Sequence, residues 1–395
     1  MRDRVFFLTL WILSVAVTLN ASVFHFDEPE NNIDLNSMQL IKKEGYPVEA
    51  HIAVTKDGYM LTMHRIPGKP GAPAIFLQHG LLGSSADWVI LGKDKALAYL
   101  LADRGYDVWL GNFRGNAYSR AHVTTPTSNV SFWDFSWHES GVYDLPAMIS
   151  YVVNMTEKPL KAYIGYSMGT TTFYVMSSQL PETAELLETM YSLAPVAYMK
   201  HVKSPLRLFA PFATDFETMS YMFGKGEFMP DRSVLKNLAR RWCAANFFEE
   251  RICSNSFFFV AGFDRAQFNY TLLPTILNNT PAGTSFRTMC HYAQEIHSGY
   301  FRQYDFGVKK NLELYHHPSP PKYDVTKIKV PIHLFHGDND WLASPIDVQR
   351  LHEELPNSTL YKVPLRSFNH IDFMWAKDAP TLLYDPVLKM LDESQ

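Results

Sequence analysis

Cysteine is scarce: Cys243, Cys253 and Cys290 are the three in a chain of 395 residues. A fold of this length must therefore stand on buried apolar side chains and not on a disulfide framework. In an oxidising compartment one bridge stays open to it, and the closely spaced Cys243 and Cys253 are the best pair, leaving Cys290 unbridged. No Cys/His spacing matches a zinc site, so neither a metal nor another cofactor is expected. Positive charge is not in excess either: 36 Lys and Arg face 40 Asp and Glu, a net charge of −4, and no basic run exceeds a few residues. Nucleic-acid binding has no electrostatic support. Internal repeats and low-complexity stretches are absent, which excludes a solenoid or a linker-like chain. Long apolar runs are missing too. The stretch Val5–Val17 spans 13 residues, too short for a bilayer, and nothing later is longer.

That stretch has another reading. Arg2 and Arg4 precede it, and small and polar residues follow from Thr18 to Ser22. This is the layout of a secretory signal peptide, placed over residues 1–21, so a soluble, exported protein is expected. Sequons agree: Asn129, Asn154, Asn269, Asn278 and Asn357 each open Asn-x-Ser/Thr without proline at x. Secretion or delivery to lysosomes follows as the expected location.

Short apolar runs alternate with longer helix-like segments. "HIAVTKDGYMLTMHRIP" reads as a hairpin turning at Asp57-Gly58. "APAIFLQHG", "YDVWLGN", "KAYIGYS" and "ETMYSLAPVAY" read as strands, while "DKALAYLLADRG", "VYDLPAMISYVVN" and "TTTFYVMSSQL" read as helices. That rhythm predicts an α/β fold with a mainly parallel sheet and helices on both faces. From about Lys200 the pattern becomes helical and rich in Phe, Met and Tyr, with no strand alternation. The strand rhythm then resumes in "VPIHLFHGDND", "IDVQRLHEELP", "TLYKVPL" and "PTLLYDPVLKML". The expected organisation is a core over 22–199 and 323–395, interrupted by a helical insertion over 200–322.

Between "KAYIGYS" and the following helix lies Gly165-Tyr166-Ser167-Met168-Gly169. It fits the Gly-x-Ser-x-Gly elbow, which sets a nucleophilic serine on a sharp strand-to-helix turn. A serine hydroxyl needs a base to take its proton, and the base needs an acid to fix its tautomer. In this fold class the order is serine, acid, histidine. "HLFHGDNDWLA" supplies Asp338 and Asp340 just past a strand, and residue physics alone leaves both open. "LRSFNHIDFMW" then places His370 in a loop before the last helices, whereas His336 comes too early and His352 sits on an exposed helix. Asp372 reads as a helix-start residue favoured by the dipole. Backbone N–H groups that could hold an oxyanion are those of Met168, next to the serine, and Leu81, in "FLQHGLLGSS".

The blocks "EGYPVEAHIAVTKDGYMLTMHRIP", "QHGLLGSSADW", "GYDVWLGNFRGNAYSR", "YDLPAMISYV", "SLAPVA", "PAGTSFRTM" and "NHIDFMWAKDAP" resemble the acid lipase family, which includes gastric and lysosomal acid lipases. The likeness runs from about Tyr46 to the C-terminal helix. It implies an α/β-hydrolase fold with a cap and lid insertion. Ser167 would be the nucleophile, Asp340 rather than Asp338 the acid, and His370 the base. It also implies oxyanion donors at Leu81 and Met168, a Cys243–Cys253 disulfide, and triacylglycerol or cholesteryl ester substrates met at a lipid–water interface. The Phe/Met-rich insertion would then form an acyl-chain pocket and a mobile cover. Two departures stand out. Mammalian members read Gly-His-Ser-Gln-Gly where this chain has Tyr166 and Met168, and a cysteine familiar before "GFD" is Ala261 here. A short-chain carboxylesterase or a peptidase on the same fold, and a silent lipid-binding protein, are the alternative readings.

Overall fold

A tight turn at Asp57-Gly58 joins β1 (Glu49–Val54) to β2 (Tyr59–Ile66) in an antiparallel hairpin, with Ala53 opposite Leu61 and Val54 opposite Met60. From this hairpin the computed structural model builds a mixed sheet; it describes residues 35–208, 210–212, 226–228 and 258–393. The expected signal peptide, Cys243 and Cys253 lie outside the described residues. The sheet continues with β3 (Ala74–Gln78), β4 (Asp107–Gly111), β5 (Ala121–His122), β6 (Ala162–Tyr166) and β7 (Met190–Leu193). β8 (Glu227–Phe228) and β9 (Thr284–Ser285) form a separate two-stranded pair, and β10 (Ile332–His336) and β11 (Ser358–Lys362) complete the main sheet. Its spatial order is β1-β2-β4-β3-β6-β7-β10-β11, with β5 on β2, and the strands from β4 to β11 along that path run parallel.

Every residue of β3, β4 and β6 is buried. Parallel strands covered on both faces lose the alternation of a half-exposed strand, which is why these segments read as continuous apolar runs. At the margins β1 and β11 are largely exposed or half-buried, as edge strands must be. Helices Leu97–Asp103, Leu145–Thr156, Met168–Gln179, Pro345–Glu354 and Asp385–Glu393 connect or flank the strands. A wide helical turn, Ser140–Asp144, leads into Leu145–Thr156 and packs on Met168–Gln179.

Between β7 and β10 the described residues include helices Leu273–Asn279, Phe286–Ser298 and Val308–Tyr315. The stretch read as free of strands nevertheless contains β8 and β9. Two-residue strands carry no periodicity to detect. Helix Phe286–Ser298 is capped by Ser285, whose hydroxyl accepts from the Thr288 N–H at 3.0 Å, and stops at Gly299. Its tie to the core is polar as well as apolar. Tyr292 donates to Thr171 Oγ1 at 2.9 Å, His291 Nδ1 lies 3.0 Å from Ser136 Oγ, and the His291 ring stacks on Trp137 at 3.6 Å.

Candidate active site

The carboxyl ends of neighbouring parallel strands converge on one small region. Ser167 directly follows β6, Gly80 and Leu81 follow β3, Asp340 follows β10 and His370 follows β11. In an open α/β sheet this edge is where ligands bind, because the loops leave a crevice there.

Ser167 is held at φ +51°, ψ −114°, a region a side chain rarely enters. Such strain costs on the order of 1–3 kcal/mol and persists only where the surroundings dictate it. They do so here. The Ser167 N–H donates to Leu193 O at 3.0 Å, its carbonyl accepts from the Thr170 hydroxyl at 2.6 Å, and a helix begins at once with Met168. The turn is so tight that a Cβ on Gly169 would lie 2.4 Å from Gln78 O, which is backbone and cannot yield.

His370 Nε2 lies 2.8 Å from Ser167 Oγ, and its Nδ1 lies 2.8 Å from Asp340 Oδ2. A carboxylate oxygen only accepts, so the proton sits on Nδ1 and Nε2 is left to accept from the serine hydroxyl. Asp340 is wholly buried, and its other oxygen takes the N–H groups of Leu342 (2.9 Å) and Ala343 (2.7 Å). Asp338, the rival acid, turns outward and pairs with Lys362 at 2.6 Å. His336 and His352 make no contact with Ser167; the latter bonds Ser358 Oγ at 2.7 Å.

The backbone around His370 is secured by a reciprocal cap. Asn369 Oδ1 accepts from the N–H of Ile371 and Asp372 at 2.9 and 3.1 Å, while Asp372 Oδ2 accepts from the Asn369 N–H at 2.7 Å. Asp372 does open the helix Asp372–Trp375, as its sequence position suggested, but it is buried there, and burial pushes its carboxyl up to about 8.

Leu81 lines the space beside Ser167 and Met168 follows Ser167 in the chain; among the described residues no acceptor is seen for either backbone N–H. The Leu81 amide is aimed by its neighbour. His79 Nδ1 donates to Gly80 O at 2.7 Å, while Nε2 accepts from the N–H of Phe113 at 3.2 Å and from Asn116 Nδ2 at 3.1 Å. Carbonyl and N–H of one trans peptide point opposite ways, so gripping the Gly80 carbonyl turns the Leu81 N–H away from the His79 ring. Burial lowers the His79 pKa to about 4 and keeps the ring neutral for this role. Sequence reasoning missed His79; the only signal was its place before Gly80.

The serine opens into a cavity of about 660 Å³ whose walls are almost entirely apolar, with Met199, Phe228, Phe286, Met289, Leu342 and Trp375 among them. Asp87 is the one carboxylate among the described residues of the wall. It lines this cavity beside the Leu81–Gly83 loop, with Oδ1 accepting from the Thr280 hydroxyl (3.2 Å) and Oδ2 from the Ser84 N–H (3.3 Å). Burial raises its pKa to about 7, against about 3.9 in an unfolded chain. Between those values the folded state keeps a proton that the unfolded state releases, so stability falls as pH rises from about 4 to 7. Asp87→Asn removes this titration. In denaturant unfolding the variant is expected to gain on the unsubstituted protein by on the order of 4 kcal/mol between pH 4 and pH 8; parallel curves at both pH values would refute this. His79 acts in the opposite sense. Its folded pKa is depressed, so its contribution is complete above about 6.5 and is lost as pH falls toward 4.

Of the expected glycosylation sites, Asn129, Asn154 and Asn357 are exposed, and Asn269 and Asn278 are half-buried. Cys290 is buried in the cavity wall. Among the described residues no helix is long and apolar enough to cross a membrane.

Residues 37–92 match the family model described as a partial alpha/beta-hydrolase lipase region, and residues 73–208 match the alpha/beta hydrolase fold. Lipase 3 of Drosophila melanogaster is 43% identical over 359 residues, covering 89% of this chain and 91% of that protein. Human gastric triacylglycerol lipase is 39% identical over 381 residues, 94% of each chain. Among solved structures, an acetylester hydrolase from Corynebacterium glutamicum superposes with a TM-score of 0.53 at 16% identity, over 89% of this chain and 97% of that one, a likeness of fold alone.

Proposed function

This chain belongs to the acid lipase family of α/β-hydrolases, and from that premise we propose that it is an exported enzyme hydrolysing carboxylic esters of neutral lipids, triacylglycerols or cholesteryl esters, through Ser167, His370 and Asp340. One observation carries the reading: the serine–imidazole–carboxylate relay, 2.8 Å at each step, stands at an apolar cavity large enough for an acyl chain.

His370 Nε2 takes the Ser167 proton as Oγ attacks the acyl carbonyl. The carbonyl oxygen becomes an oxyanion between the N–H groups of Leu81 and Met168, each worth on the order of 3 kcal/mol in comparable sites. Met168 also begins a helix, whose positive end favours the same charge. The imidazolium, steadied by Asp340, gives its proton to the departing alcohol oxygen as the C–O bond breaks. Water then attacks the acyl-enzyme with His370 again as base, releasing the fatty acid and restoring the serine hydroxyl.

Residues between 200 and 322 contribute Phe228, Phe286, Met289 and Ile296 to the cavity wall. That supports reading this stretch as a cap on a core formed by 22–199 and 323–395. Export through the residue 1–21 signal, a Cys243–Cys253 bridge, and glycans at the exposed Asn129, Asn154 and Asn357 complete the proposal. Hydrolysis of emulsified long-chain triacylglycerol and cholesteryl ester should exceed that of a soluble short-chain ester per active serine. A strong preference for the short ester, with the long-chain lipids untouched, would instead make the protein a carboxylesterase.

A further inference from the structure

The nucleophile, the base and the loop carrying Leu81 must meet within tenths of an ångström, yet they leave the sheet at three different strands, β6, β11 and β3. One side chain touches all three. Tyr166 is the last residue of β6 and precedes Ser167 in the chain. Its hydroxyl donates to the backbone carbonyl of His370 at 2.9 Å, its ring lies 5.3 Å from the His370 ring, and a Cβ on Gly80 would sit 2.9 Å from its Cδ1 and Cε1. It is thus covalently tied to the nucleophile, hydrogen-bonded to the base's backbone and packed on the loop that presents the Leu81 N–H.

The Asn369–Asp372 cap fixes the residues on either side of His370, but the N–H of His370 itself is held more weakly than its carbonyl. Its N–H reaches Ala261 O at 3.4 Å, a long bond, and Asn369 beside it is anchored to Gly262 O at 2.9 Å. The carbonyl is gripped by Tyr166. Ser167 pulls on Nε2 and Asp340 on Nδ1, so the ring can tilt about the line joining them unless the backbone behind it is fixed. We infer that Tyr166 is a positioning residue of the relay, a hydroxyl clamp that sets the imidazole of His370 against Ser167 and, through its ring, the spacing of the oxyanion loop from both. Burial keeps the hydroxyl protonated and available as a donor. Tyr166 lines the cavity, but its hydroxyl is taken up by the His370 carbonyl. The clamp holds near-attack geometry, and losing fractions of an ångström there lowers the rate without changing affinity for the ester.

This rests on the proposed Ser167–His370 chemistry. Tyr166→Phe keeps the ring and removes the clamp. Well below the melting temperature, with active enzyme titrated by an alkyl fluorophosphonate, kcat on a soluble ester is expected to fall about tenfold with KM unchanged, and the rate of phosphonate capture by the same factor; about tenfold corresponds to roughly 1.4 kcal/mol in the barrier. Tyr174→Phe is the control. It removes an equally buried hydroxyl, 2.5 Å from Ser192 Oγ on β7, and should lower the melting temperature while leaving kcat and capture unchanged. If both variants lose stability alike and Tyr166→Phe is captured as fast as the unsubstituted enzyme, Tyr166 is structural only and the clamp is refuted. If the unsubstituted enzyme is not captured at Ser167 at all, it is the underlying catalytic reading that fails.

Discussion

Ser167→Ala is expected to lower kcat on any ester by about 10⁶-fold and to leave the fold intact. The size follows from the relay acting as a unit: without Oγ there is no acyl-enzyme, and His370 and Asp340 have nothing to activate, so the loss equals that of the whole triad. A residual rate above the uncatalysed reaction should survive, about 10³-fold, because the N–H groups of Leu81 and Met168 can still polarise a bound carbonyl toward attack by water. The intact fold follows from the backbone. Alanine has the same Cβ as serine, so the strain at φ +51° is unchanged, and the contacts that enforce it are the Ser167 N–H and carbonyl, not the hydroxyl. Melting temperature and activity should therefore part company in this variant.

Asp340→Asn should cost about 10⁴-fold in kcat, the loss known for the equivalent change in a serine protease triad. The two N–H groups of Leu342 and Ala343 demand an acceptor at Oδ1. The amide nitrogen of asparagine must then take the Oδ2 position and point at His370 Nδ1. Facing a donor, Nδ1 becomes the acceptor, the ring proton moves to Nε2, and the serine hydroxyl loses its base. Geometry is kept and chemistry is lost. Asp338→Asn is the matched control. It removes a partly exposed ion pair with Lys362, worth about 1 kcal/mol or less, and should leave kcat at its original level. Equal losses from both would mean that the acid has been misassigned.

These two aspartates show where the sequence is legible and where it is not. Buried parallel strands announce themselves, because covering both faces demands the unbroken apolar runs of "APAIFLQHG" and "KAYIGYS", and the hairpin at Asp57-Gly58 carries its own turn chemistry. The elbow is legible for a similar reason, since helix and strand approach too closely at Gly169 for any side chain. The order of Ser167, the acidic loop and His370 fits an arrangement that only one sheet edge can bring together. Choosing between Asp338 and Asp340 is different. Both lie in one short loop, and what separates them is Lys362 on the next strand, which pairs with Asp338, and the way the loop folds its own Leu342 and Ala343 amides back onto Asp340, which residue types alone do not show. The Tyr166–His370 bond joins residues 204 apart, so no window on the sequence contains it. Asp372 reads as a helix-start residue, and its raised pKa, like that of Asp87, comes from burial that only the packed chain creates. Short β8 and β9 fall below any periodic signal.

The most direct test is to expose the folded protein to a long-chain alkyl fluorophosphonate and locate the adduct by peptide mass mapping. The account predicts stoichiometric labelling on the peptide carrying Ser167, absent in Ser167→Ala and at least a thousandfold slower in Asp340→Asn. An unlabelled protein, or an adduct on another residue with Ser167 free, would contradict it.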